Sequence, residues 1–322
     1  MKVLFATSPD KPTVVLSFGA GQDSWTLLLR SCHDLDFRAR FIGDANLVCV
    51  FADTGNEWPE TYRSLDDARA LCAEYGVTFA WLRGDSGYHS AGWANGIEGQ
   101  MRDHSSIIMR TTRSCTAGTK VAPIYMYLDA FLAERYGLVG GRKRGLRGYT
   151  ERFGRLRVMI GYAKGEERRA NKASGAEQLS LPLDGTPAPQ SALPPWMRDC
   201  IERFYPLIDL GMDRAACQAY CATHNRTIWP SNCQMCPHAT PEDVLLLSLE
   251  EPATFARWVA YEQAKIAKHD GRDKNHGVFG ATTLGEVRDD CFAKYRDFAP
   301  DDLLRVLRER RFTRGHCVSS SH

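Results

Sequence analysis

No apolar run in this 322-residue chain approaches the roughly 20 residues that span a bilayer, which excludes the helical membrane proteins as a class. The opening stretch Met1-Lys2-Val3-Leu4-Phe5-Ala6-Thr7 is too short for the core of a signal peptide and meets Pro9-Asp10 at once, so the expected location is cytoplasmic. A dominant charge is also missing. The 41 Lys and Arg against 39 Asp and Glu leave a formal net charge of +2, so electrostatic binding has to come from local clustering. The chain has no internal repeat, which excludes solenoids and propellers. Its 11 cysteines are irregularly spaced, and a disulfide framework is not expected in a chain of this size. What remains is a globular chain with 43% hydrophobic residues, enough for one sizeable α/β domain and a smaller region.

The most informative stretch runs from Val14 to Leu29. Val14-Val15-Leu16 reads as a buried strand, Ser17-Phe18-Gly19-Ala20-Gly21-Gln22 as a glycine-rich turn, and Asp23-Ser24 onward as the start of an apolar helix. This is the geometry that turns backbone N–H groups toward a phosphate. A second strand, Leu47 to Ala52, ends in Asp53-Thr54-Gly55, and Pro59 follows at the first turn of a helix. In an open parallel sheet, ligand groups gather where strands end, and Asp53 stands at such an end. Asp is also a common turn residue, so Asp53 alone decides little.

Four ordered segments resemble the phosphoadenosine phosphosulfate reductase family of the PP-loop (adenine nucleotide alpha hydrolase) superfamily. They are the turn from Ser17 to Ser24; Asp53-Thr54-Gly55 with Pro59-Glu60-Thr61-Tyr62; Cys115-Thr116 with Lys120-Val121 and Pro123; and Met159-Ile160-Gly161-Tyr162 leading into Glu166-Glu167-Arg168-Arg169. The resemblance implies a parallel twisted sheet with helices on both faces. It also implies an ATP site built from Ser17, Gly19, Gly21, Asp23, Ser24, Asp53, Thr54, Gly55, Gly161, Arg168 and Arg169, with Asp23, Ser24, Asp53 and Lys120 in catalytic roles and Mg2+ as the phosphates' counter-ion. Two departures stand out. The family's loop lysine is replaced by Gln22 and the arginine of the fourth segment by Ala163, so phosphate charge has to be met by Lys120, Lys164, Arg168 or Arg169.

Cationic residues are concentrated in one stretch, Arg142, Lys143, Arg144, Arg147, Arg152, Arg155 and Arg157, with Glu151 as its only acid. Gly140, Gly141, Gly145, Gly148 and Gly154 within it suggest a flexible loop or hairpin. Such a segment suits a DNA or RNA backbone, nucleotide phosphates or an acidic partner, and is equally readable as a solvated surface. A second group, Arg305, Arg308, Arg310, Arg311 and Arg314, falls on an amphipathic helix around Leu303, Leu304, Val306 and Leu307 and reads mostly as its polar face.

Among the cysteines, Cys32, Cys49, Cys72 and Cys291 read as small buried hydrophobes. Cys233-Gln234-Met235-Cys236-Pro237 differs, because a C-x-x-C pair aims two sulfurs at one point and suits an iron–sulfur cluster, zinc or a redox dithiol. The resemblance implies a [4Fe-4S] cluster on Cys115, Cys217, Cys233 and Cys236, with Cys221 competing with Cys217 and zinc as the alternative metal. Cys317 resembles in position the C-terminal catalytic cysteine of the sulfonucleotide reductases, although His316 stands where a glutamate is usual.

The expected organisation is a nucleotide-binding domain over 1–171, a Pro/Ala/Ser/Gly-rich linker or insertion over 172–198, and a helical region with the C-x-x-C site over 199–322. Strands are expected at 13–17, 47–52, 77–82 and 157–162, and helices at 24–32, 59–75 and 121–136. The expected activity is adenylation of an acceptor with release of pyrophosphate. Sulfur transfer follows, to nucleic acid held by the basic stretch, with a cysteine desulfurase as sulfur donor. Reduction of a sulfonucleotide and a non-catalytic nucleotide-binding partner are the competing classes.

Overall fold

The structure is a computed structural model that describes residues 3–5, 7–109, 114–174, 193–270 and 276–314; of 172–174 and 314 it describes the backbone alone. Five strands form one parallel sheet in the order β3-β2-β1-β4-β5. They are β1 (Thr13–Ser17), β2 (Asn46–Ala52), β3 (Thr78–Leu82), β4 (Leu156–Ile160) and β5 (Ile201–Phe204). From β1 the chain steps outward through β2 and β3, then returns to the other side of β1 with β4 and β5. The order reverses between β1 and β4, and the carboxyl end of such a switch is where open α/β sheets bind ligands.

The helices are α1 (Gln22–His33), α2 (Leu35–Phe41), α3 (Pro59–Tyr75), α4 (Gly96–His104), α5 (Ala122–Tyr136), α6 (Arg144–Phe153), α7 (Glu167–Ser174), α8 (Pro195–Cys200), α9 (Pro206–Asp209), α10 (Arg214–Thr223), α11 (Pro241–Glu250), α12 (Pro252–Lys268), α13 (Leu284–Lys294) and α14 (Pro300–Arg314). Successive strand residues point to opposite faces, and the sheet sorts its apolar residues accordingly. Val14, Leu16, Cys49, Phe51 and Met159 pack with α1, α2 and α3 on one face. Val15, Val48, Val50, Leu156 and Val158 pack with α5, α6 and α8 on the other. Both faces are covered, so the expected α/β class with helices on both sides holds. A third core, formed by α4 and α11 to α14 with Val244, Leu246, Trp258 and Leu284 at its centre, lies beside the sheet and contains Cys233 and Cys236.

Two expectations need correction. The stretch from Arg142 to Arg157 is not a loop or hairpin but α6 followed by β4. Leu146 and Tyr149 are buried against α5, and Gly145 sits so close to it that a Cβ there would lie 2.1 Å from the Asp129 carbonyl oxygen. Gly145 thus serves close helix packing rather than flexibility. The sheet also extends past the expected boundary at 199, because β5 pairs with β4. The expected linker falls mostly in residues outside those described, bounded by α7 and α8. No helix among the described residues is long and apolar enough to cross a membrane.

Candidate nucleotide site

The turn after β1 carries the N-terminus of α1, whose cap is Gly21 in an extended conformation. The Ser24 hydroxyl donates to the Gly21 carbonyl (3.0 Å) and accepts from the Gly19 N–H (3.2 Å), which closes the loop on itself. Ala20 sits at φ +58 at its apex. The backbone of β4 continues across the same helix end: a Cβ on Gly161 would lie 2.9 Å from the Ser24 nitrogen. From the other side comes a segment remote in sequence. A Cβ on Gly21 would lie 2.9 Å from Ser231 Oγ, and Gln22 donates its side-chain amide to the Ile228 carbonyl at 3.0 Å.

Together these segments enclose a cavity of about 270 Å3, lined by Ser17, Gly19, Gly21, Asp23, Ser24 and Gly161 and by three cations from three elements, Lys120, Arg169 and Arg214. Lys120 lies on a π-helical turn (Thr116–Val121) that leads into α5, a form often met at functional sites. Arg169 is on α7, paired with Glu166 and placed over the Tyr162 ring at 4.4 Å. Arg214 begins α10 and lies 3.8 Å from Asp23 and 3.9 Å from Glu166. A helix N-terminus, three glycines and three cations make an anion cradle. Lys164 and Arg168, the other expected sources of charge, are exposed and do not line the cavity.

Asp23 is the unusual group here. Burial pushes its carboxyl up to about 6, although Arg214 works in the opposite direction. One carboxylate oxygen, Oδ1, is buried without a hydrogen-bond partner. A buried, unsatisfied acceptor beside an anion cradle fits a divalent cation that accompanies phosphates.

Asp53, Thr54 and Gly55 are not among the residues lining the cavity. Asp53 is held by the Gly55 N–H (2.8 Å), the Tyr62 hydroxyl (3.0 Å) and the Trp81 indole N–H (2.9 Å). That leaves it as a fastener of the turn after β2. The same turn positions Glu57, a residue that no motif in the sequence singles out. Its side chain is fully buried, 3.6 Å from Lys120 Nζ, and accepts from the Thr54 hydroxyl at 3.0 Å. The Cys233 thiol donates to the Thr54 hydroxyl at 3.3 Å and lies 3.9 Å from Glu57 Oε1. The Asn56 carbonyl accepts from the Gln234 N–H (2.7 Å) and the Asn56 side-chain oxygen from the Met235 N–H (2.8 Å), which docks the C-x-x-C segment on this turn.

The structure does not gather the four expected cysteines. Cys217 and Cys221 share one face of α10 and are buried against α1, where Cys221 Sγ lies 3.4 Å from the Thr26 hydroxyl. Their i, i+4 spacing is what places both in the sheet's own core. Burial, and then the charge of Asp23, push the Cys217 thiol up to about 12, so it is a protonated thiol at neutral pH. Cys115, Cys233 and Cys236 belong instead to the core of the helical region. Among the described residues no three His, Cys, Asp or Glu side chains come together as a metal site. As placed, these residues do not fit a four-thiolate cluster or zinc site. Cys32, Cys49, Cys72 and Cys291 are buried, as expected. Cys317 and His316 lie outside the described residues.

The second half of the basic stretch, from Arg152 to Arg157, is placed at the other end of the sheet. Arg152 contacts Asp10 and the Pro9 carbonyl just before β1, and Arg157 pairs in register with Val14 at the start of β1. Five-residue strands separate this end from the cavity by about 15 Å. Arg142, Arg144, Arg147, Arg152 and Arg155 are exposed, whereas Lys143 and Arg157 lean on Trp196 and Phe204.

No protein-family model matches the chain, and no curated protein matches it. Among solved structures it is similar to U34-tRNA thiolase NcsA from Methanococcus maripaludis with its [4Fe-4S] cluster, at 14% sequence identity and a TM-score of 0.39, over 88% of this chain and 81% of that one.

Proposed function

We propose that the chain is a PP-loop enzyme that binds ATP at the carboxyl end of β1 and β4, adenylates an acceptor with release of pyrophosphate, and supports transfer of sulfur to that acceptor. The observation that carries this reading is the cavity at the strand-order switch, where the α1 N-terminus, Lys120, Arg169 and Arg214 converge. Three cations and a helix end match a polyphosphate better than a singly charged ligand.

In this reading the N–H groups of the Gly19 to Ser24 turn and the three cations hold the phosphates. An acceptor oxygen attacks the α-phosphorus, the new O–P bond replaces the bond to pyrophosphate, and the cations meet the charge that develops on the phosphoryl oxygens. Asp23 would hold Mg2+, which when bound supplies further neutralisation of phosphate charge. A sulfur nucleophile then displaces AMP from the activated acceptor. The position of Cys233 beside the Glu57 and Lys120 pair supports a thiol acting near the cavity. The exposed arginines of α6 and of the loop after it form a docking face for DNA or RNA, and a folded nucleic acid is wide enough to reach from that face to the cavity.

Pyrophosphate release from ATP, measured with and without nucleic acid, tests the reading. Release that requires Lys120 and Arg214 is the expected result. Failure of the purified chain to bind ATP overturns it.

A further inference from the structure

Arg311 is unlike the other arginines of α14. Arg305, Arg308 and Arg310 lie on the surface and pair with Asp302, Glu250 and Glu242. The Arg311 side chain is 2% exposed. Its guanidinium pairs with Glu60 in the first turn of α3 and lies 4.0 Å from the centre of the Trp58 ring. It also donates to the Pro230 carbonyl (3.5 Å) and to the Asn232 side-chain oxygen (3.4 Å). Ser231, the residue between those two acceptors, is the one that packs on Gly21 of the phosphate loop. One residue further along α14, Phe312 meets Trp229 edge to face, with ring centres 5.4 Å apart.

Stability alone does not account for such a residue. A buried ion pair is a weak stabiliser, and an apolar side chain of similar volume often serves a core as well or better. What an apolar side chain cannot do is hold two acceptors and a carboxylate with one planar fork. That fork ties the 57–60 turn, which carries Glu57, to the 230–232 segment, which forms a wall of the cavity.

We propose that Arg311 is a positioning residue: it fixes Ser231 against the phosphate loop, so that the C-terminal helix sets the affinity of the nucleotide site. The inference rests on the reading of the cavity as an ATP site. It makes α14 part of the nucleotide site without contact between them, through the chain Arg311, Pro230 to Asn232, Gly21.

The test is calorimetric ATP binding by the full chain and by Arg311→Met, Arg311→Lys, Ser231→Ala and the Arg311→Met/Ser231→Ala double variant, at a temperature where denaturation curves show each to be folded. Arg311→Met is expected to bind ATP roughly tenfold more weakly, within the usual range for a residue that acts through a neighbour. Arg311→Lys, which keeps the charge but loses the fork, is expected to fall between that variant and the parent, and it carries the comparison if Arg311→Met does not fold. In the Ser231→Ala background the Arg311→Met effect should shrink to less than about twofold, since coupled residues are not additive. Unchanged ATP affinity in the folded Arg311 variants overturns the inference, as does a loss of equal size with and without Ser231. A parent chain that fails to bind ATP overturns the nucleotide reading and this inference together, whereas ATP binding indifferent to Arg311 overturns this inference alone.

Discussion

The carboxylate of Glu57 lies 3.6 Å from the ammonium of Lys120, with the glutamate fully buried and the lysine facing the cavity. The pair joins the turn after β2 to the turn before α5. Replacing Lys120 with Met removes a cation from the cavity and leaves a buried carboxylate without it. The expected outcome is a fall of roughly 100-fold or more in pyrophosphate release, together with a loss of about 1 to 3 kcal/mol in unfolding free energy. Adding Glu57→Gln to Lys120→Met should recover the stability and not the activity. Urea denaturation and a pyrophosphate assay on the two variants check both halves.

Gly161 admits no side chain where β4 crosses the α1 N-terminus. Gly161→Ala is expected to cost about 1 to 3 kcal/mol, the usual penalty of overpacking a tight contact, and to weaken ATP binding because the phosphate loop must shift. An unchanged denaturation midpoint and an unchanged ATP affinity would show that the contact yields easily.

Asp23 makes the stability depend on pH in a stated direction. Its folded-state value of about 6 lies above the ordinary 3.8, so the folded chain binds this proton more tightly than the unfolded chain does. The stabilisation is present below pH 3.8, declines as pH rises toward 6, and is gone above that. A shift of this size corresponds to no more than about 3 kcal/mol. Asp23→Asn removes the ionisation, and its unfolding free energy, compared with the parent between about pH 4 and 7, should show a flatter profile.

Cys217 belongs to the contact of α1 and α10, whereas Cys115, Cys233 and Cys236 belong to the helical region. Cys217→Ala is expected to lower stability by about 1 kcal/mol through the small cavity it leaves. Iron and zinc content of anaerobically purified protein should be identical in this variant and the parent. Metal lost on this substitution alone would contradict the placement of Cys217.

Arg147 and Arg155 are exposed, and neither lines the cavity. Changing both to Glu is expected to weaken DNA or RNA binding and to reduce the slope of its salt dependence by about 2, one for each cation removed from the phosphate backbone. ATP affinity should not move, because neither arginine lines the cavity. A filter-binding titration at several salt concentrations, beside ATP calorimetry, separates the effects.

Much of the first half of the sheet was legible in order along the chain. The strand ending at Ser17, the helix beginning at Gln22 and the helix with Pro59 at its start follow from local apolar patterning and turn chemistry, which act between near neighbours. The glycines misled at Arg142 to Arg157, because a glycine that lets two helices approach closely looks, in a string of letters, like one that loosens a loop.

The sequence by itself determined the strand, glycine-rich turn and helix from Val14 to Leu29 and, through the family resemblance of its short ordered segments, the parallel α/β class. Only the tertiary structure decided which charges meet there. Arg214 and Ser231 reach the loop from far downstream in the chain, Arg311 holds the residues on either side of Ser231 from further still, and Cys217 packs in a different core from Cys233. The physical reason is that burial and ion pairing depend on where the helices pack in space, and no local periodicity records that a residue on α10 will face the turn after β1, or one on α14 the start of α3.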